Sequence, residues 1–176
     1  MQTSPEVAMP RILPALALVG AVFAAPALAG GLEPVALAPL THPDAQLQVI
    51  GPDGGETVYA QSDLEQLPTY SLTTATPWRE VPATFEGVRL RDVLAANGLE
   101  GQSIAVTAEN DYTTVLSAEL IETVDILVAT RVDGRAHTRR ARGPIQFVID
   151  QEVFETSDLT DEANYVWMVA RIEPEG

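Results

Sequence analysis

The chain has 176 residues, room for one domain of ordinary size or for one domain behind an export segment. It carries no cysteine and no lysine, which excludes disulfide frameworks, thiolate metal sites, cysteine nucleophiles and Schiff-base chemistry. A net charge of −15 opposes free-standing nucleic-acid binding, because such a field repels phosphate at long range.

Arg11 precedes an apolar run, Ile12 to Phe23, that is shorter than a bilayer-spanning helix, and Ala27-Leu28-Ala29 follows as a leader-peptidase signal. Residues 1–29 therefore read as a signal peptide cut before Gly30, with an uncleaved anchor as the competing reading. No later segment is long and apolar enough for a second span, and no lipobox exists without cysteine. The expectation is a periplasmic or secreted protein with no membrane span after cleavage. Its charge stays at −15, since Glu6 and Arg11 leave together.

Residues 30–46 carry Pro34, Pro39 and Pro43 with little periodicity and read as an extended tether. Over 47–174 the pattern is that of one mixed domain. Leu47 to Ile50 is a short strand, followed by the turn cluster Gly51-Pro52-Asp53-Gly54-Gly55. Ser62-Asp63-Leu64-Glu65 fits a capping box, which predicts a short helix over Asp63–Gln66. Tyr70 to Thr74 is strand-like. Leu90, Val93 and Leu94 fall at helical spacing and Gly98 suits a C-terminal cap, so Leu90–Asn97 reads as a helix.

Ser103 to Ala108 alternates as a strand, and Ser117 caps a short helix through Ile121. Asp125 to Val132 is a buried-type strand ending in the hairpin signal Asp133-Gly134. Ile145–Ile149 and Val166–Ile172 supply two more strands. Short strands with brief helices between them predict an α+β fold with mixed sheets rather than a doubly wound parallel sheet.

Five of the nine arginines outside the leader, Arg131, Arg135, Arg139, Arg140 and Arg142, fall within twelve residues whose only acidic member is Asp133. Guanidinium forks pair bidentately with phosphate or carboxylate, so the cluster is either an anion site or an exposed hairpin paired with acidic neighbours. Trp78 in a loop and Asn110-Asp111-Tyr112 after a strand are residue types that stack on a planar ligand and read its edge. Core placement for Trp78 and a plain turn for Asn110-Asp111 are the structural alternatives. His42 and His137 are the only histidines and lie 95 positions apart, which disfavours a histidine metal site or a catalytic triad. The acidic stretch Asp150, Glu152, Glu155, Asp158, Asp161 and Glu162 lacks the spacing of a calcium loop and reads as a solvated loop or a partner surface.

Taken together and in order, several blocks resemble the sulfite-oxidase-type molybdopterin-binding domain, in its small exported single-domain members. They are Thr76-Pro77-Trp78, Phe85-Glu86-Gly87-Val88-Arg89-Leu90-Arg91-Asp92-Val93-Leu94, Asn110-Asp111-Tyr112 and Leu127-Val128-Ala129-Thr130-Arg131-Val132-Asp133-Gly134. Arg142-Gly143-Pro144-Ile145 and Val166-Trp167 through Arg171-Ile172-Glu173 complete the set. The resemblance implies a crevice for a pterin or molybdopterin-type ligand. In it, Arg131, Arg139, Arg140 and Arg142 are expected near phosphate or carboxylate, and Trp78, Asn110, Asp111 and Tyr112 near the heterocycle.

The chain departs from the family where its oxidoreductases hold molybdenum. The family's Leu-x-Cys strand here reads Leu72-Thr73-Thr74, which puts Thr74 in the cysteine position, and a hydroxyl is a poor replacement for thiolate on a sulfur-liganded molybdenum. The resemblance with this departure implies a non-catalytic pterin-binding protein that presents its ligand to a partner such as a membrane sensor. A molybdopterin-dependent oxidoreductase with an atypical metal ligand, and a structural module with an empty cleft, are the alternatives.

Overall fold

A computed structural model describes residues 31–176; the predicted signal peptide and Gly30 lie outside the described residues. The chain folds into two sheets with short helices, an α+β architecture as predicted. In the first sheet β1 (Glu33–Pro34), β4 (Thr69–Thr76), β5 (Arg79–Arg89), β8 (Leu127–Val132) and β10 (Gln146–Val148) run antiparallel in that order, and β9 (Arg135–Ala136) pairs with β8. The second sheet has the order β3 (Glu56–Ala60), β2 (Gln46–Ile50), β11 (Val169–Pro174), β6 (Ile104–Ala108), β7 (Thr113–Leu116). Its one parallel pairing, β2 with β11, brings the two ends of the domain together.

Alternation makes these strands half-buried. Leu47 and Val49 point into the core while Gln46 and Gln48 point out. The core also takes Ile104, Val106, Leu127, Val128 and Phe147, all fully buried. Each such side chain contributes about 1.5–3 kcal/mol. Helix α2 (Leu90–Ala95) lays Leu90, Val93 and Leu94 on that core, and Gly98 follows at φ 71°, the left-handed geometry expected of the cap. The Ser117 hydroxyl accepts the Leu120 N–H and starts α3 (Ala118–Thr123). The Asp133-Gly134 turn has positive φ at both residues, the requirement of the tight hairpin its sequence signalled. At Gly87 a Cβ would lie 2.1 Å from the Val128 carbonyl oxygen, so β5 and β8 approach more closely there than any side chain would allow.

Four features differ from the sequence reading. The first helix, α1, is Gln61–Leu64, and the Asp63 carboxylate reaches back to the Ala60 N–H at 2.9 Å, so the cap stands two residues before Ser62. Strands β3, β5 and β7 were not anticipated; β5 starts with exposed residues around Pro82 and ends buried, which blurs its period. The acidic stretch is not a loop throughout. Asp150 caps α4 (Gln151–Thr156), and Asp161 caps a 3-10 turn over Glu162–Asn164. Finally, residues 33–42 are extended but fastened along the domain: β1 pairs with β4, and the Val35 N–H donates to the Thr69 carbonyl.

The two sheets are stitched together beside β10. The Phe147 N–H donates to the Val166 carbonyl and the Val169 N–H to the Ile145 carbonyl, both at 2.9 Å, and Gln146 and Trp167 form a bridge. That seam sets the position of the site.

Candidate functional site

A cavity of about 370 Å³ opens at one end of the seam. Three separate backbone devices bring its walls together. Trp78 occupies the two-residue turn between β4 and β5, a turn entered through Pro77. Asn110 and Tyr112 come from the β6–β7 turn, where Asp111 takes φ 65°, a left-handed geometry that aspartate tolerates better than most residues. The turn closes through Asp111 N–H to the Ala108 carbonyl and Ala108 N–H to the Tyr112 carbonyl. Tyr165 and Trp167 arrive from the segment leading into β11, and Glu162 and Ala163 from the 3-10 turn before it.

The aromatic rings stand at right angles. Trp78 meets Trp167 edge-on at 4.7 Å and 85°, and meets Tyr165 at 6.1 Å and 88°. This is the favoured arrangement of ring quadrupoles, and it makes a box with flat faces rather than a filled stack. Tyr165 is held from behind. It is buried, its hydroxyl donates to the Ile149 carbonyl at 3.2 Å, and burial together with Asp150 and Glu155 pushes its pKa well above the ordinary tyrosine value. Trp78, 36% exposed, forms part of the cavity's outer wall.

Arg142 braces this wall. Its guanidinium lies 4.6 Å from the Trp167 ring and 5.9 Å from the Trp78 ring, within cation–π range of both. The residue sits at φ 75°, an unfavourable geometry for arginine, and its carbonyl accepts the Met168 N–H at 3.3 Å. Its Nε and the indole Nε1 of Trp167 are buried without a hydrogen-bond partner among the described residues. Behind Trp78 a smaller hollow of about 160 Å³ is lined in part by Arg79, Arg142 and Gln146. Gln146 is oriented by His137, whose Nε2 lies 2.9 Å from its Oε1. Burial holds the His137 pKa below the usual imidazole value, so the ring stays neutral and donates.

Of the sequence-predicted site residues, Trp78, Asn110 and Tyr112 thus line one cavity, Asp111 shapes its turn, and Arg142 stacks on its wall. The other arginines lie elsewhere. Arg131 is buried and gives Nε and Nη2 to the two oxygens of Glu65 at 2.9 and 2.6 Å, with a third hydrogen bond to the Ala38 carbonyl. The Thr130 hydroxyl donates to the same carboxylate at 2.6 Å, and the His42 Nε2 lies 2.9 Å from it. Burial pushes the Glu65 carboxyl up, yet its partners Arg131, Thr130 and His42 together hold it below the usual carboxylate range. Arg139 forks onto both oxygens of Glu109 at 2.8 and 2.7 Å, and Arg140 is exposed.

Thr74 is also committed. It is buried, and its hydroxyl accepts the Gln151 N–H that begins α4 at 2.8 Å and donates to the Ala75 carbonyl at 3.2 Å. It does not line the aromatic cavity. No group of three or more histidine, cysteine, aspartate or glutamate side chains among the described residues is arranged to hold a metal ion. The residues present therefore do not fit a thiolate-held molybdenum.

Tyr165, Trp167 and Glu162 were not anticipated as site residues. Tyr165 and Trp167 are two positions apart, the period that sends side chains to one side of an extended chain, and this was the available signal.

No family model and no curated protein matches this chain. Among solved structures, the sulfane dehydrogenase SoxCD from Paracoccus pantotrophus is similar at a TM-score of 0.58 and 17% identity. The match covers 78% of this chain and 39% of that one, so the chain spans about two fifths of its neighbour's length. The likeness shows a shared fold.

Proposed function

We propose that this chain is an exported binding module of sulfite-oxidase-type fold, which takes a pterin-like heterocycle in the aromatic cavity and presents it to a partner such as a membrane sensor. The carrying observation is the perpendicular box of Trp78, Tyr165 and Trp167 with Asn110 and Tyr112 at its rim. A planar ring buried against such faces gains both area and quadrupole contacts, about 0.5–1.5 kcal/mol per ring pair beyond the area itself. Arg142 and Arg79 would receive a phosphate or other anionic tail, since both line the hollow behind Trp78. A bound pterin would supply its ring edge and, in molybdopterin, a dithiolene for metal. This chain's residues hold and orient; none offers the thiolate that the family's oxidoreductases use.

A molybdopterin-dependent oxidoreductase is the second reading. It draws on the neighbour being a dehydrogenase. The two part cleanly on protein purified from its native envelope, assayed for molybdenum and for pterin fluorescence after denaturation. Pterin without stoichiometric molybdenum is the expected result, and near-stoichiometric molybdenum overturns it. Trp167→Ala should remove the bound pterin.

A further inference from the structure

Among the described residues, Glu162 is the one charged residue lining the aromatic cavity. It opens the 3-10 turn Glu162–Asn164, which rests against β7, while Asn110 enters the same cavity from the turn that begins β7. Three nearby carboxylates are occupied. Glu109 holds Arg139 with both oxygens, Asp150 accepts the Glu152 and Val153 N–H groups, and Asp161 accepts the Ala163 N–H. The Asn110 Oδ1 accepts the Tyr112 N–H at 3.4 Å, which leaves its amide NH₂ free. The cavity thus offers a ligand a strong acceptor in Glu162 and a neutral donor in Asn110 between aromatic faces.

A carboxylate accepts best from two parallel N–H groups, as the fork of a guanidinium or an amino-pyrimidine supplies. An organic cation would also suit a carboxylate among aromatic rings. Arg142 already places a positive charge 4.6 Å from Trp167 and 5.9 Å from Trp78, and a second cation against the same rings would meet its repulsion. A neutral heterocycle with an N–H pair meets none. Resting on the pterin reading above, we infer that Glu162 selects ligands by the 2-amino and ring N–H edge of a 2-amino-4-oxo-pyrimidine, with the Asn110 NH₂ directed to the 4-oxo group. Glu162 is then the specificity determinant. A 2,4-dioxo ring of the same size presents a carbonyl where the amino group was, and that oxygen faces the carboxylate.

The test titrates the protein calorimetrically with pterin and with lumazine, its 2,4-dioxo counterpart, in mildly acidic buffer where both are uncharged. Wild type is expected to bind pterin at least tenfold more tightly, the scale of one charged hydrogen bond lost and one acceptor left opposed. Glu162→Gln, isosteric and on the surface, is expected to weaken pterin about tenfold and bring the two ligands within about threefold, because its amide donates to the 2-oxo group. Equal affinities in wild type, or an unchanged preference in Glu162→Gln with native circular dichroism, overturn the assignment of Glu162 while leaving the pocket reading intact. Absence of binding by both heterocycles overturns the pocket reading and this inference with it. Displacement of pterin by tetramethylammonium at comparable concentration would make the cavity a cation cage and overturn the inference.

Discussion

Two carboxylates of this protein, Glu65 and Glu162, stand in opposite states. Glu65 is nearly buried, at 9% side-chain exposure, and held by hydrogen bonds from Arg131 and Thr130, with the His42 Nε2 2.9 Å away. Glu162 is exposed and lines a cavity whose other walls are mainly aromatic. The arginine-rich window drew attention in the sequence because charge is concentrated there. In the fold that concentration is dispersed: Arg131 goes inward to Glu65 and Arg139 sideways to Glu109. Density of charge along a chain does not make a binding site. Polar groups that the fold leaves uncommitted next to a concave apolar surface do.

The sharpest way to break this comparison is to remove each carboxylate in turn. Glu65→Ala strands the Arg131 guanidinium, 6% exposed, and removes the carboxylate beside His42. Breaking a buried pair from one side costs about 3–5 kcal/mol, which denaturant unfolding would read directly. Glu162→Ala removes an exposed side chain and should stay within about 0.5 kcal/mol of wild type. If Glu65→Ala unfolds no more easily than Glu162→Ala, the two carboxylates are not the different objects described here.

How much of this was legible in the sequence depends on whether the deciding partner is near or far along the chain. Local signals read through. The alternation in Ile104–Ala108, the helical spacing of Leu90, Val93 and Leu94, the Ser117 cap and the Asp133-Gly134 turn all appear where local chemistry places them. The fate of Arg131 was not legible, because its partner Glu65 stands 66 positions away and its third contact, the Ala38 carbonyl, 93 away. Likewise Glu162 looked like one more member of an acidic run. Only the meeting of β7 with the 3-10 turn places it beside Asn110.

Acid offers a milder way to sharpen the contrast. The folded pKa of Glu65 lies below its ordinary value of 4.5, so its contribution is present above that value and is lost as pH falls through the folded pKa. His137 works in the same direction at higher pH. Burial holds its folded pKa below 6.5, so as pH falls through 6.5 the unfolded chain takes up a proton that the folded chain refuses, and stability declines. Unfolding midpoints measured across this range should therefore drop in two stages. Glu65→Gln should erase the lower stage only; a midpoint flat from pH 7 to pH 5 would contradict the His137 assignment, and one flat from pH 5 down to acid unfolding the Glu65 assignment.

The smallest effect tests the residue at which the chain departs from the oxidoreductases it resembles. The resemblance read from the sequence puts Thr74 at the position of a metal-binding cysteine, and in the fold its hydroxyl accepts the first N–H of α4 and donates to the Ala75 carbonyl. Those bonds describe a strut between β4 and α4. Thr74→Val keeps the shape and removes the hydroxyl, leaving the Gln151 N–H without its partner at a half-buried position. The expected loss is about 1 kcal/mol in stability, with pterin affinity unchanged because Thr74 does not line the aromatic cavity. A ligand role predicts the reverse pattern, stability retained and cofactor lost. Measuring both quantities on one variant separates a threonine that holds a helix in place from one that holds a metal.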